Sequence, residues 1–150
     1  MNHTASPFVE KLGLHVEREG RSRVGGQLLG ILLLADAPLS LDELAARLAV
    51  SKASVSINAR ELERHGVAMR VSFPGDRRDH YVIAPDLPAN TMRERIASLR
   101  RFRDAIASGS EETRSGNPLV SDRFTRFVAA FEHTIDSMDR VLQELVSRDN

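Results

Sequence analysis

Residues 39–84 constrain the fold more than any other part of this chain. Ser40-Leu41-Asp42-Glu43 has the spacing of a capping box, in which the Ser side chain caps a helix and Glu43 reaches back. Leu41, Leu44, Ala45 and Leu48 then give that helix one apolar stripe. Val50-Ser51 is a short turn, and Ser51 is placed to cap a second helix running to His65, stopped by Gly66. Two short helices joined by a tight turn make a helix-turn-helix. Val67, Met69, Val71 and Phe73 follow in period two, predicting a strand over 67–73. Pro74-Gly75-Asp76 signals a turn, and His80 to Ala84 read as the returning strand of a hairpin with a basic tip.

The flanking segments are helical by the same tests. Ser6-Pro7 opens a first helix, with Ser6 as cap and Pro7 at its first position, and Gly20 closes it. Residues 23–35 are apolar on nearly every side, as in a buried central helix, and Gly25, Gly26 and Gly30 would admit close neighbours. No Gly-Lys-Ser/Thr follows them, so they are not a phosphate loop. Ala37-Pro38-Leu39 reads as a breaker. A further helix is expected over about 91–107, with Thr91 and Glu94 in capping-box spacing. Residues 109–117, GSEETRSGN, read as a loop. The last helix should run from Asn117-Pro118 to about 147 with Phe124, Phe127, Phe131, Ile135, Met138 and Leu142 in its stripe.

Composition narrows the function classes. The 150 residues hold 21 basic and 21 acidic side chains, a balance that argues against indiscriminate nucleic-acid binding. Residues 1–108 carry 16 basic and 13 acidic side chains and residues 109–150 carry 5 and 8. All basic residues except Lys11 and Lys52 are Arg, which suits bidentate contacts to phosphate or guanine. With no Cys, disulfides, thiolate metal sites and Cys nucleophiles are excluded. The longest apolar run, Leu28 to Ala35, is far short of the roughly 20 residues of a membrane span. The opening MNHTASPFVEK lacks the layout of a secretory leader, so a cytoplasmic chain is expected. No His-x-x-x-His spacing or carboxylate cluster suggests a metal, and Gly-x-Ser-x-Gly is missing. No cofactor is implied, and an enzyme is not expected.

The helix from Ser51 to His65 divides cleanly at 100° per residue. Val55, Ala59 and Leu62 face inward; Ala53, Ile57, Arg60 and Arg64 face outward, flanked by Lys52 and Ser56. Small or hydroxylated side chains near a helix N-terminus permit close approach to a phosphate backbone. An exposed Ile57 makes sense against a thymine methyl. Arg77 and Arg78 lie between Asp76 and Asp79; one Arg held by Asp would leave the other to reach a minor groove or phosphate.

The stretch LDELAARLAVSKASVSINARELERHGVAMRVSFPGDRRDHY resembles the winged-helix domain of MarR-type transcriptional regulators. Its SKASVSINARELERHGV string, its PGDRRDHY tail and the upstream FVEKLGLHVEREGRSRVGGQLLGILLLAD are most similar to the GbsR-like branch. The resemblance spans residues 8–84 and is loose over 85–150. It implies a mainly α fold with a small β-hairpin wing: a winged helix-turn-helix domain over 36–87, with N-terminal helices (1–35) and C-terminal helices (88–150) that dimerise. It implies a homodimeric regulator of transcription, a repressor of double-stranded DNA sites. By the same resemblance Lys52, Ser54, Ser56, Ile57 and Arg60 contact DNA, Arg78 enters the minor groove, Arg77 lies toward the backbone, and Asp76 supports the wing. The branch is associated with choline-like compounds. A quaternary ammonium wants Trp or Tyr faces, and this chain has no Trp and one Tyr, Tyr81. A small effector, if used, is therefore expected to be apolar or aromatic, near Phe8, His15, Phe102 and Phe124, at the junction of the flanking helices with the winged lobe. The competing expectation is a winged helix that binds another protein and no DNA.

Overall fold

The computed structural model describes residues 6–113 and 116–148. Residues 1–5, from the stretch tested for a leader, and 114–115, from the expected loop, lie outside the described residues. The chain divides into two compact units, residues 1–87 and 88–150.

The first unit opens with two crossing helices, α1 (Pro7–Arg18) and α2 (Arg23–Leu34). Ser6 flanks α1 without a side-chain capping bond, contrary to the expected cap, and Pro7 alone starts the helix. Gly20 ends α1 at φ +78°, where it forms a Schellman closure: Gly20 N–H donates to Glu17 O (2.9 Å) and Arg21 N–H to Val16 O (3.1 Å). Ser22 caps α2 through the Gly25 N–H at 3.3 Å. α2 is not buried all round. Leu28, Ile31 and Leu32 are in the core, but Leu33 and Leu34 near its C-terminus are exposed.

The helix-turn-helix follows as α3 (Leu41–Leu48) and α4 (Lys52–Arg64). Both halves of the capping box form: Ser40 Oγ accepts the Glu43 N–H, and Glu43 accepts the Ser40 N–H at 2.8 Å. Ala49 closes α3 in the left-handed region at φ 53°. Val50 N–H reaches Ala45 O at 3.2 Å, so the same Schellman pattern is built here on a non-glycine residue.

The wing is a three-stranded antiparallel sheet in the order β1-β3-β2, where β1 is Leu39–Ser40, β2 is Ala68–Val71 and β3 is His80–Ile83. The expected hairpin is β2–β3. β1 was concealed in the sequence because Leu39-Ser40 reads as breaker and cap. An N-cap residue is extended, here φ −72° and ψ 160° at Ser40, so the same two residues can pair with Tyr81 and His80.

The period-two reading of 67–73 fails at its first residue. Val67 is the residue two beyond the cap of α4: Gly66 N–H donates to Glu63 O (3.0 Å) and Val67 N–H to Leu62 O (2.9 Å). The Val67 side chain buries with Leu62, the apolar contact that accompanies this closure. The strand then begins at Ala68, which is buried, while Met69 and Phe73 are exposed. The core joins α1 and α2 to the winged region through Val9, Leu28, Ile31, Leu44, Val55 and Tyr81.

Leu87, the first residue of α5 (Leu87–Thr113), belongs to the first unit and packs on its core; the second unit holds the rest of α5 and α6 (Pro118–Arg148). The helix expected over 91–107 is longer at both ends, and residues 109–113 of the expected loop are helical. Pro88 sits in the first turn, where its missing N–H has no helical partner to lose. Thr91 is therefore inside α5 and no cap; its hydroxyl donates to Pro88 O at 2.9 Å. Ile96 and Ile135 are buried, and Phe102, Phe127 and Phe131 cluster, with the last two stacked at 4.8 Å.

Candidate nucleic-acid interface

α4 is positioned by its core face. Val55, Ala59 and Leu62 are buried, which turns Ala53, Ile57, Arg60 and Arg64 outward. Ile57 is 69% exposed, an unusual position for a large aliphatic side chain on a helix with a well-formed apolar side elsewhere. Ser51 caps the helix through the Ser54 N–H at 3.1 Å. Ser54 and Ser56 are half-buried on the flanks.

Lys52 Nζ meets the Asp42 carboxylate at 2.9 Å, an exposed pair that ties the start of α4 to α3. Arg64 pairs with Glu61, which also meets His65 Nε2 at 2.8 Å. These two neighbours hold the Glu61 carboxyl below the usual range. Arg60, one of the expected DNA contacts, has no ion-pair partner among the described residues.

The tip of the wing is built around Asp76. Gly75 takes φ +82°, which only glycine adopts readily, and Asp76 N–H closes the turn on Phe73 O at 3.1 Å. Arg78 then folds back on Asp76. Its Nε lies 2.9 Å from Oδ1, its Nη2 2.7 Å from Oδ2, and its backbone N–H 3.0 Å from Oδ1. The bidentate Arg78 guanidinium, followed by that backbone bond, holds the Asp76 carboxyl far below the usual carboxylate range. Of the two tip arginines, Arg78 is thus the one oriented, while Arg77 is exposed with no partner among the described residues. Arg70, on β2, lies 3.6 Å from both Glu63 and Asp79.

Two contributors were not anticipated. Asn58 is half-buried on the flank of α4, donating to Ser54 O at 2.9 Å, and its Oδ1 would sit 3.2 Å from a Cβ on Gly25. His80 is buried beneath the wing against Phe73. Asn58 lies on neither the inward nor the outward stripe, and His80 reads only as a strand residue, so neither carried a signal.

The four side chains expected near an effector fall in different units. Phe8 and His15 are exposed on α1, where His15 Nε2 lies 3.5 Å from Glu19. In the second unit, Phe124 lines an open cavity of about 270 Å³ with Ile106, Val120, Arg123 and Phe127. Phe102 lies beyond that lining, against Phe127 at 5.9 Å. Among the described residues there is no group of three His, Asp or Glu arranged to hold a metal, and no helix long and apolar enough to cross a membrane.

Comparison with known proteins agrees with this architecture. The MarR family pattern matches residues 25–79, covering most of α2, the helix-turn-helix, β1, β2 and the turn before β3. The HTH-type transcriptional regulator MmpR5 of Mycobacterium tuberculosis is 36% identical over 117 residues, 77% of this chain and 71% of that protein. A crystal structure described as a transcriptional regulator superposes with a TM-score of 0.82 at 30% identity, over 93% of this chain and 96% of the other. The chain belongs to the MarR family of winged helix-turn-helix proteins. It is a transcriptional regulator of the DNA-binding, non-enzymatic kind.

Proposed function

We propose that the chain is a homodimeric repressor of the GbsR-like branch that acts in the cytoplasm and reads a pseudo-palindromic operator. The observation that carries this reading is the joint presentation of α4 and the wing within one unit. Ile57 and Arg60 stand out from a helix whose other side is core, and the Asp76–Arg78 clamp stands at the wing tip. α4 reads base edges in the major groove through Ser54, Ser56, Ile57 and Arg60, with Lys52 at its phosphate-facing end. Arg78 enters the minor groove and Arg77 contacts backbone. Residues 36–87 form the reading domain, and 1–35 and 88–150 supply the dimer.

Dimerisation is supported by α6, a 31-residue helix on which Leu119, Phe127, Val141 and Val146 are exposed in the single chain. Apolar surface of that extent seeks a partner. Two copies would present their recognition helices to half-sites about 10 bp apart.

A small effector would release the operator by binding one arrangement of the dimer better than the other. The cavity at Phe124 is apolar with one cation, Arg123, and supports a hydrophobic organic acid over a quaternary amine. Thermal-shift screening against choline, betaine and hydrophobic acids tests this part; stabilisation by choline alone contradicts it.

Selection of bound sequences from a random duplex pool, followed by titration at several salt concentrations, tests the reading as a whole. A log–log slope of several units would report several phosphate contacts. Salt-independent binding, or none, would favour a protein-binding winged helix instead, for which the exposed Ile57 is the one supporting feature.

A further inference from the structure

Beneath the wing, five polar residues meet at the N-terminal end of α3. Ser40 and His80 are register partners in the β1–β3 ladder, and both are buried. Ser40 Oγ donates to Glu43 at 2.6 Å. His80 Nδ1 lies 3.1 Å from the Arg78 carbonyl oxygen, and its Nε2 lies 3.7 Å from Asp76 Oδ2. Phe73 meets the imidazole edge-on, with ring centroids 5.0 Å apart. The ring therefore touches the residue that orients the wing arginine and the backbone of that arginine itself. A carbonyl oxygen only accepts, so Nδ1 carries the proton in this bond.

The Asp76–Arg78 pair is bidentate but open to solvent: the Arg78 side chain is 59% exposed, so water and salt compete for it. A clamp so exposed, on a Pro-Gly turn, leaves the arginine room to swing. A buried side chain that grips the Arg78 backbone from below removes that freedom before DNA arrives, and pre-ordering of this kind raises affinity.

We infer that His80 is a positioning residue of the wing: it fixes the Arg78 backbone against the capped end of α3, so that the Arg78 guanidinium is presented to DNA in one orientation. The inference rests on the reading of Arg78 as a DNA contact. It predicts that His80 influences DNA affinity only through Arg78.

The test is a double-mutant cycle on the full chain, using a duplex selected from the random pool and paired with thermal melting. Two apolar replacements, His80→Phe and His80→Leu, are made, and the one melting nearer the native chain is read. Arg78→Ala should weaken binding about tenfold, and the His80 replacement about three- to tenfold. Combined with Arg78→Ala, the His80 replacement should add less than about twofold, because both act on one contact. His80→Gln, whose amide can still donate to the Arg78 carbonyl, should recover most of the affinity. A full additional loss in the Arg78→Ala background, or no loss from the His80 replacement, overturns the inference while leaving Arg78 as a DNA contact. Native-like binding by Arg78→Ala overturns the wing reading itself, and the inference with it.

Discussion

Gly26 of α2 faces Gly13 of α1 so closely that a Cβ on Gly26 would lie 2.9 Å from the Gly13 Cα, and as close to the Leu12 carbonyl oxygen. Two helices without side chains at their crossing can bring backbone against backbone. Gly30 repeats the arrangement one turn on, against Val9 at 3.2 Å. This contact places α2 over α4 and the rest of the core, and so sets the base on which the reading helix stands.

Gly26→Ala should lose about 1–3 kcal/mol, the usual cost of forcing atoms into a filled core. Gly109→Ala, the same exchange within α5, meets only the Phe124 ring edge at 3.9 Å. It should gain up to about 1 kcal/mol from helix propensity. Urea denaturation of the two variants beside the native chain checks the opposite signs; two gains would show that the crossing has room.

Ala49 holds the turn of the helix-turn-helix at φ 53°, a conformation that disfavours any side chain with a Cβ. Relief of that strain is worth about 1–2 kcal/mol, against about 0.5–1 kcal/mol for the greater freedom of glycine in the unfolded chain. Ala49→Gly should therefore raise stability by roughly 0.5–1 kcal/mol without changing DNA affinity. A lower melting temperature for this variant would contradict the strain.

The Ser40 hydroxyl and then the Ser40 backbone N–H hold the Glu43 carboxyl below its ordinary value. The folded-state pKa is depressed, so this stabilisation is fully present above the unfolded value of about 4.3 and is lost as pH falls below it. Melting temperatures across pH 5 to 3 should drop less steeply for Glu43→Gln than for the native chain. Parallel curves would mean that Glu43 is not coupled to folding. Ser40→Ala, which also removes a buried hydroxyl, should cost about 1 kcal/mol at neutral pH.

Wing and recognition helix should differ in what their loss does. Arg78→Ala is expected to weaken binding to many sequences alike, since minor-groove and phosphate contacts discriminate little. Arg60→Ala and Ser56→Ala should cost about 1–3 kcal/mol on the preferred site and less on scrambled duplex. Equal losses on both duplexes for the helix variants would remove them from the base-reading set.

Sedimentation at micromolar concentration should show a mass near twice 16.6 kDa. A monomer under those conditions would leave the exposed apolar face of α6 without its proposed partner.

Signals that act within one turn were legible without coordinates. The capping box at Ser40–Glu43, the cap at Ser51, the stop at Gly66 and the inward stripe of Val55, Ala59 and Leu62 are local patterns, and each formed as spaced. The winged helix-turn-helix followed from them. What depended on contacts between distant residues was not legible. β1 exists because an extended cap happens to lie beside β3. Val67 left the strand because Leu62 and the closure of α4 claimed it. Thr91 lost its expected cap because Leu87 and Pro88 could already be helical. The wing site divides the same way. Sequence placed two arginines between two aspartates at a turn; the local geometry of that turn decided that Asp76 takes Arg78 and leaves Arg77 with no partner among the described residues, and the pairing of β3 with β1 buried His80. Hydrogen bonding along a turn is written in the order of residues. Which strand lies beside which is decided only when burial brings distant segments within bonding distance.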